Sequence, residues 1–321
     1  MSLDWGSWEL AQVLVKIAVY ACMAAATGGM LVLCLLQRAV TAVQAQSSTA
    51  LPPQWFLQQR HALLHHIALA SAEGLLATVL LFLLQVGSVN AADLAGMFDP
   101  LIIRILAATP VGLGMACKFA GFALTLVAVL TVVSKGSRDS ASALPPWLLA
   151  VSCLTLLLFA ASFAVLGHTA VLGLPVRLAT GVHVAAVLLW IGALLPLRRL
   201  NAAGPLVVVQ PLLRSFGVLG WVLVGALLLA GGVLLFNLLE DPATLLTTTY
   251  GVLLLGKLLM AGCLLALAAL NKFRLVPALT EQTRAPLQIS IGFELLLALT
   301  IIVLTAMLTT LTGAFQPDGV H

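Results

Sequence analysis

The chain has 321 residues, of which 62% are hydrophobic and only 8% charged, with a formal net charge of +4. A soluble domain carries roughly 25% charged residues, and much of any folded surface must face water, so this composition excludes an ordinary soluble enzyme, a disordered chain and a disulfide-stapled secreted module. The basic residues are scattered in short clusters between apolar runs, which excludes a nucleic-acid-binding surface of the usual kind.

A helix needs about 20 apolar residues to cross a bilayer. Eight segments qualify: about 10–36, 63–86, 110–133, 146–166, 178–197, 215–238, 250–271 and 287–311. A transmembrane barrel would alternate apolar and polar residues in segments of about ten, whereas these runs are continuous. The predicted fold is therefore all-α: a polytopic membrane helical bundle of eight transmembrane helices, embedded in the lipid bilayer. The N-terminus, MSLDWGSWEL, has acids where a cleaved signal peptide would have Lys or Arg, and reads as mature sequence.

The first helix carries Lys16, Cys22, Met23, Gly28-Gly29 and Met30. The stretch 38–60, rich in Gln, Ser, Thr and Ala, reads as the longest inner linker. The second helix opens on His61, His65 and His66 and holds Glu73 within its span. His61 and His65 stand at i,i+4 on one helix face; they suit either an interfacial polar collar beside Arg60 or a metal. The third helix contains Met115, Cys117, Lys118 and Gly121. The fourth ends at Leu166-Gly167-His168-Thr169. The fifth begins with Gly181-Val182-His183-Val184 and runs on to Trp190-Ile191-Gly192-Ala193. Lys257 lies in the seventh helix and Glu294 in the eighth. Pro52-Pro53, Pro145-Pro146, Pro205/Pro211, Asp241-Pro242 and Pro277/Pro286 are expected in the linkers, where a missing N–H is harmless.

Lys and Arg bias sets orientation. One set of loops holds Arg38, Arg60, Lys135, Arg138, Arg198, Arg199, Arg214, Lys272, Arg274 and Arg284; the opposite set holds Arg104 and Arg177 with Asp93, Asp99, Glu240 and Asp241. The first set is expected in the cytoplasm and both termini outside. A weak repeat relates 106–130 to 246–270, each following an Asp-Pro, with Gly about six residues before a Lys. It suggests two four-helix halves of the same orientation, a parallel repeat. The domain boundary expected from this is 1–140 for the N-terminal half and 141–321 for the rest.

Ionisable groups inside spanning helices cost roughly 2.5–3.5 kcal/mol each on insertion scales and mark function or a specific partner. Lys16, Lys118 and Lys257 all fall in the outer halves of their helices, where each can snorkel or join a shared outward-facing polar site. Glu73 and Glu294 complete the expected polar core, as partners for a Lys or as proton carriers. His168 and His183 face each other across a short outer loop, and neutral imidazole binds copper, zinc or haem iron. Soft Cu(I) favours sulfur, and Met23 and Met115 are the sulfur candidates in the outer halves of their helices; packing alone also accounts for such residues. The five cysteines share no CxxC spacing and read neither as a disulfide framework nor as a zinc site. Nothing resembles a phosphate loop, a nucleophile elbow or a zinc-protease helix, so neither an ATP-driven pump nor a hydrolase is indicated and no catalytic residue is assigned.

The run Gly167-His168-Thr169, then His183-Val184-Ala185-Ala186 leading to Trp190-Ile191-Gly192-Ala193-Leu194-Leu195-Pro196-Leu197, resembles the copper resistance protein D (CopD) family. The likeness continues through Arg214-Ser215-Phe216-Gly217, Thr249-Tyr250-Gly251, Lys257, Asn271-Lys272, Pro277 and Glu294, and covers about 150–312. Residues 1–140 match only as helices of the right kind. Ala193 stands where a second Gly is common, a change of packing rather than of chemistry. The resemblance implies a multi-pass protein of a bacterial inner membrane that moves copper between periplasm and cytoplasm, usually regarded as an importer. It implies delivery by a periplasmic CopC-like carrier, here a separate protein. By position it makes His168 and His183 an outer copper entry site and Lys257 and Glu294 polar elements of the core. Two other readings stay open: a membrane cytochrome with haem b between His168 and His183, distinguished by a haem band, and a copper-holding assembly factor, distinguished by binding without transport. A homodimer is compatible with so apolar a chain.

Overall fold

All eight apolar runs form helices in the computed structural model, which describes residues 6–46, 53–90, 94–136, 144–166, 173–238 and 244–311. In chain order these are α1 (Ser7–Gln46), α2 (Pro53–Asn90), a 3-10 turn (Leu94–Phe98), α3 (Pro100–Ala107), α4 (Pro110–Gly136), α5 (Pro146–Ala164), α6 (Leu174–Ala203), α7 (Leu206–Leu238), α8 (Thr244–Thr247), α9 (Thr249–Leu270) with a π-turn (Asn271–Leu275), and α10 (Arg284–Leu311). Among the described residues there is no strand, and eight helices are long and apolar enough to span a membrane. Lipid offers backbone groups no hydrogen bonds, which is why such runs close their bonds internally as helices.

Several boundaries differ from the sequence reading. α1 is 40 residues long, about 60 Å at 1.5 Å per residue, roughly twice the hydrocarbon thickness. It continues to Gln46 and α2 already begins at Pro53, so most of the expected 38–60 linker is helix; its Gln and Ala residues are good helix formers. Pro211 falls inside α7, and Pro286 in the first turn of α10, where an N–H would be unsatisfied anyway. The short exposed helix α3 was not expected. Asp99 caps it, its carboxylate accepting from the Leu101 and Ile102 amides at 2.8 and 3.3 Å, with Pro100 at the first position. Asp99-Pro100 is thus a helix start, while Asp241-Pro242 lies outside the described residues.

α1 is the axis of the bundle, packed against α2, α6, α7 and α10. Its closest approach is to α6. A Cβ on Gly28 would collide with the Gly192 backbone, and a Cβ on Gly192 with the Ala24 carbonyl. Only paired glycines let two backbones meet this way. Gly192 of the Trp190–Ala193 string is therefore a packing residue.

The start of α1 and the end of α10 share one face. Lys16 Nζ donates to the Thr309 carbonyl at 3.0 Å and the Thr310 hydroxyl at 2.9 Å, placing the start of α1 beside the end of α10. At the opposite face α10 is clamped to the end of α6. Arg284 donates to the Asn201 and Gly204 carbonyls, each at 2.7 Å, and pairs with Glu281 at 2.7 Å. Gln288 donates to the Arg198 carbonyl at 2.7 Å. A cation on the final carbonyls of a helix satisfies groups left over by the helix and opposes its dipole.

Candidate functional site

The periodicity of α6 turns His183 toward α7. Its ring is set against the Leu227 backbone, and a Cβ built on Gly231 would lie 3.5 Å from Nδ1 and 3.6 Å from Cε1. Leu227 and Gly231 are one turn apart, so one face of α7 forms the wall opposite the imidazole. Nδ1 is buried and has no hydrogen-bond partner. A buried polar atom without a partner costs about 1–3 kcal/mol, and an imidazole nitrogen without a hydrogen bond is available to a metal. Lys257 on α9 is the charge that reaches this ring. His168, its expected partner, lies outside the described residues.

The other expected core residues separate into different places. Lys16 and Lys118 stand within electrostatic reach of one another. Lys16 is buried and serves as the cap of α10. Lys118, 3% exposed, reaches the Gly114 carbonyl at 3.5 Å and lies 5.2 Å from the centre of the Phe163 ring. Lys257 is with His183, so the three lysines divide between two surroundings. Glu73 is exposed, a correction to its expected place in the polar core. The phase of α2 groups it with Leu69, Leu76 and Leu80 on the outward face. Met23 is fully buried and Met115 nearly so, both inside the main apolar cluster, an environment that packing alone explains. Among the described residues no three His, Cys, Asp or Glu side chains converge.

Glu294 is only 3% exposed and has a surrounding that the sequence did not reveal. It faces Asn271, which opens the π-turn after α9 and whose Oδ1 is buried without a partner. Both residues line a cavity of about 560 Å³ between α7 and α9, walled by Trp190, Phe216 and Trp221, with Arg214 and Lys272 on its rim. Lys272 donates to the Gly217 carbonyl and lies 4.6 Å from the centre of the Trp221 ring. π-turns inside helices occur often at functional sites because they re-aim one side chain. The signal for this cavity was present as Asn271-Lys272 and Glu294, but nothing in the sequence joined them.

The family model described as copper resistance protein D matches residues 210–308. This supports the family resemblance over that stretch, just under a third of the chain, and the eight apolar helices suit a multi-pass membrane protein. The match spans α7 to α10 and includes Leu227, Gly231, Lys257, Asn271 and Glu294. The stretch with His168, His183 and Trp190–Leu197 precedes it. No curated protein and no solved structure matches the chain.

Proposed function

We propose that the protein transports copper across the bacterial inner membrane, taking the ion from the periplasm toward the cytoplasm. In this reading the face where α1 begins and α10 ends is periplasmic, and a CopC-like carrier delivers the ion there. His168 and His183 form the entry site. One observation carries the reading: the buried, unpartnered Nδ1 of His183 faces Gly231, which belongs to the segment that matches the copper family.

The chemistry suits passage rather than storage. Neutral imidazole is a good copper ligand, while the positive charge of Lys257 opposes a cation resting beside it. Conduction requires a site attractive enough to enter and weak enough to leave. Beyond it the Glu294–Asn271 cavity supplies oxygen ligands deep in the bundle. The test is copper accumulation in cells at equal expression of wild type, His183→Ala and His168→Ala. Accumulation falls in both variants; unchanged accumulation refutes the site, and copper bound but never moved would identify a holding factor instead.

A further inference from the structure

The cavity between α7 and α9 has a charge pattern that ion passage does not use. Its charged and amide side chains are Arg214, Lys272, Asn271 and Glu294. Lys272 donates to the Gly217 carbonyl, and Gly217 stands at i+3 from Arg214 on α7, so the two cations share one end of the cavity. An ammonium has three donors, of which Gly217 takes one. Among the described residues no acid pairs with either cation. Asn271 is 8% exposed, and its Oδ1, buried without a partner, is an acceptor in the cavity wall that lacks a donor. The remaining walls are apolar, formed chiefly by Leu194, Leu213, Val224, Leu265, Leu287 and Ile291. Val218, Trp221 and Phe273 belong to the same lining yet are exposed, so the cavity opens sideways, toward the bilayer around the spans. A Cβ on Gly220, also in the lining, meets nothing within 4 Å; no protein atom packs against α7 there.

We propose that this cavity binds one anionic phospholipid whose head group ends in hydroxyls, the chemistry of phosphatidylglycerol. The phosphate pairs with Arg214 and Lys272. A head-group hydroxyl donates to Asn271 Oδ1. An acyl chain lies along the apolar walls and leaves between α7 and α9. Basic pockets between spanning helices hold anionic head groups in this way, through charge-assisted hydrogen bonds. Glu294, only 3% exposed, keeps the phosphate at the rim, since its carboxylate repels a second anion moving deeper. A choline lipid has no head-group hydroxyl for Asn271 and adds a third cation to two. A soluble phosphate covers none of the apolar wall. The proposal makes no use of the Glu294 carboxylate and does not depend on the copper reading.

The test is native mass spectrometry of the purified, delipidated full chain, offered phosphatidylglycerol, phosphatidic acid and phosphatidylcholine in turn. Wild type retains one phosphatidylglycerol at least tenfold more tightly than phosphatidylcholine. Arg214→Gln and Lys272→Gln each weaken phosphatidylglycerol and phosphatidic acid alike. Asn271→Leu, similar in volume, weakens phosphatidylglycerol but not phosphatidic acid, which lacks the head-group hydroxyls. Gly220→Leu fills the cavity without altering any charge and abolishes retention. Arg199→Gln removes an exposed cation outside the cavity lining and changes nothing. Gly225→Leu, at an open position outside that lining, is equally silent. Equal retention of phosphatidylcholine, or retention unaffected by Gly220→Leu and Arg214→Gln, overturns the proposal. Displacement of the lipid by soluble glycerol phosphate also overturns it, because the site would then take a free phosphate.

Discussion

Gly231→Ala places a methyl group directly in front of His183. The added carbon lies 3.5 Å from Nδ1 and 3.6 Å from Cε1, an ordinary van der Waals contact. The helix therefore accepts it, and Ala in place of Gly favours a helix interior by up to about 1 kcal/mol. A metal on an imidazole nitrogen sits about 2 Å from it. An ion on Nδ1 in the direction of Gly231 would then be only about 1.5 Å from the new carbon, well inside contact distance. Gly231→Ala is thus expected to weaken copper binding at least about tenfold, about 1.4 kcal/mol, without loss of folded protein. Gly232→Ala is the internal control, because a Cβ there meets nothing within 4 Å. The assay is copper accumulation in cells together with equilibrium binding to the purified protein, with a detergent melting curve for each variant. If Gly231→Ala folds and handles copper as wild type does, the space between His183 and α7 holds no ion, and the imidazole is a packing group.

Gly192→Ala forces the new carbon into the Ala24 carbonyl; since backbone cannot step aside cheaply, it is expected to destabilise by about 1–3 kcal/mol, whereas Gly225→Ala, with open space around it, is neutral or slightly stabilising. Thermal unfolding in detergent compares the two, and equal melting points would contradict the α1–α6 contact. Arg284→Ala removes two bonds of 2.7 Å to the end of α6 and should cost about 1.5–3 kcal/mol, the range for hydrogen bonds to charged groups. Limited proteolysis near 204–206 and 277–284 should accelerate; unaltered cleavage would show that the clamp carries no stability. Lys16→Met removes the cap of α10 and is expected to lower stability by about 1 kcal/mol while leaving copper accumulation per folded molecule unchanged. A selective loss of accumulation at wild-type stability would return Lys16 to the transport path.

The spans were legible because lipid imposes one rule on every residue of a crossing: satisfy the backbone internally and turn apolar groups outward. That rule acts locally, so apolar runs reveal it. Their ends were less legible. Beyond the bilayer, 38–46 and 53–60 can be helix or loop on local grounds, Pro286 is tolerated in an opening turn, and Pro211 is accommodated inside α7. The buried ionisable residues could be named from sequence, since each is costly, but their partners could not. Lys16 meets Thr309 and Thr310, almost the length of the chain away. Glu294 meets Asn271 only because a π-turn reshapes the end of α9. Glu73 is the instructive departure. An acid in a span looks like a core group until the helix phase is known, and one residue of phase decides whether it faces the bundle or the bilayer.

The burial of the helices is uneven, and this bears on where movement can occur. In α1 67% of the apolar window is buried, against 11% in α7 and 6% in the span that contains α9. α1 is held by backbone contact with α6 through Gly28 and Gly192, so it cannot shift without breaking close packing. α7 and α9 instead face each other across a cavity and turn most of their spans outward, so less of each is locked by interior packing. The match to the copper family covers this loosely packed pair and α10, and both His183 and Glu294 look onto it. An ion moving from the imidazole toward the carboxylate would therefore need displacement only of α7 or α9, while α1, α6 and the Arg284 clamp stay fixed. On the proposed path, His183 on α6 and Glu294 on α10 would belong to the rigid frame and the walls that release the ion to the flexible part.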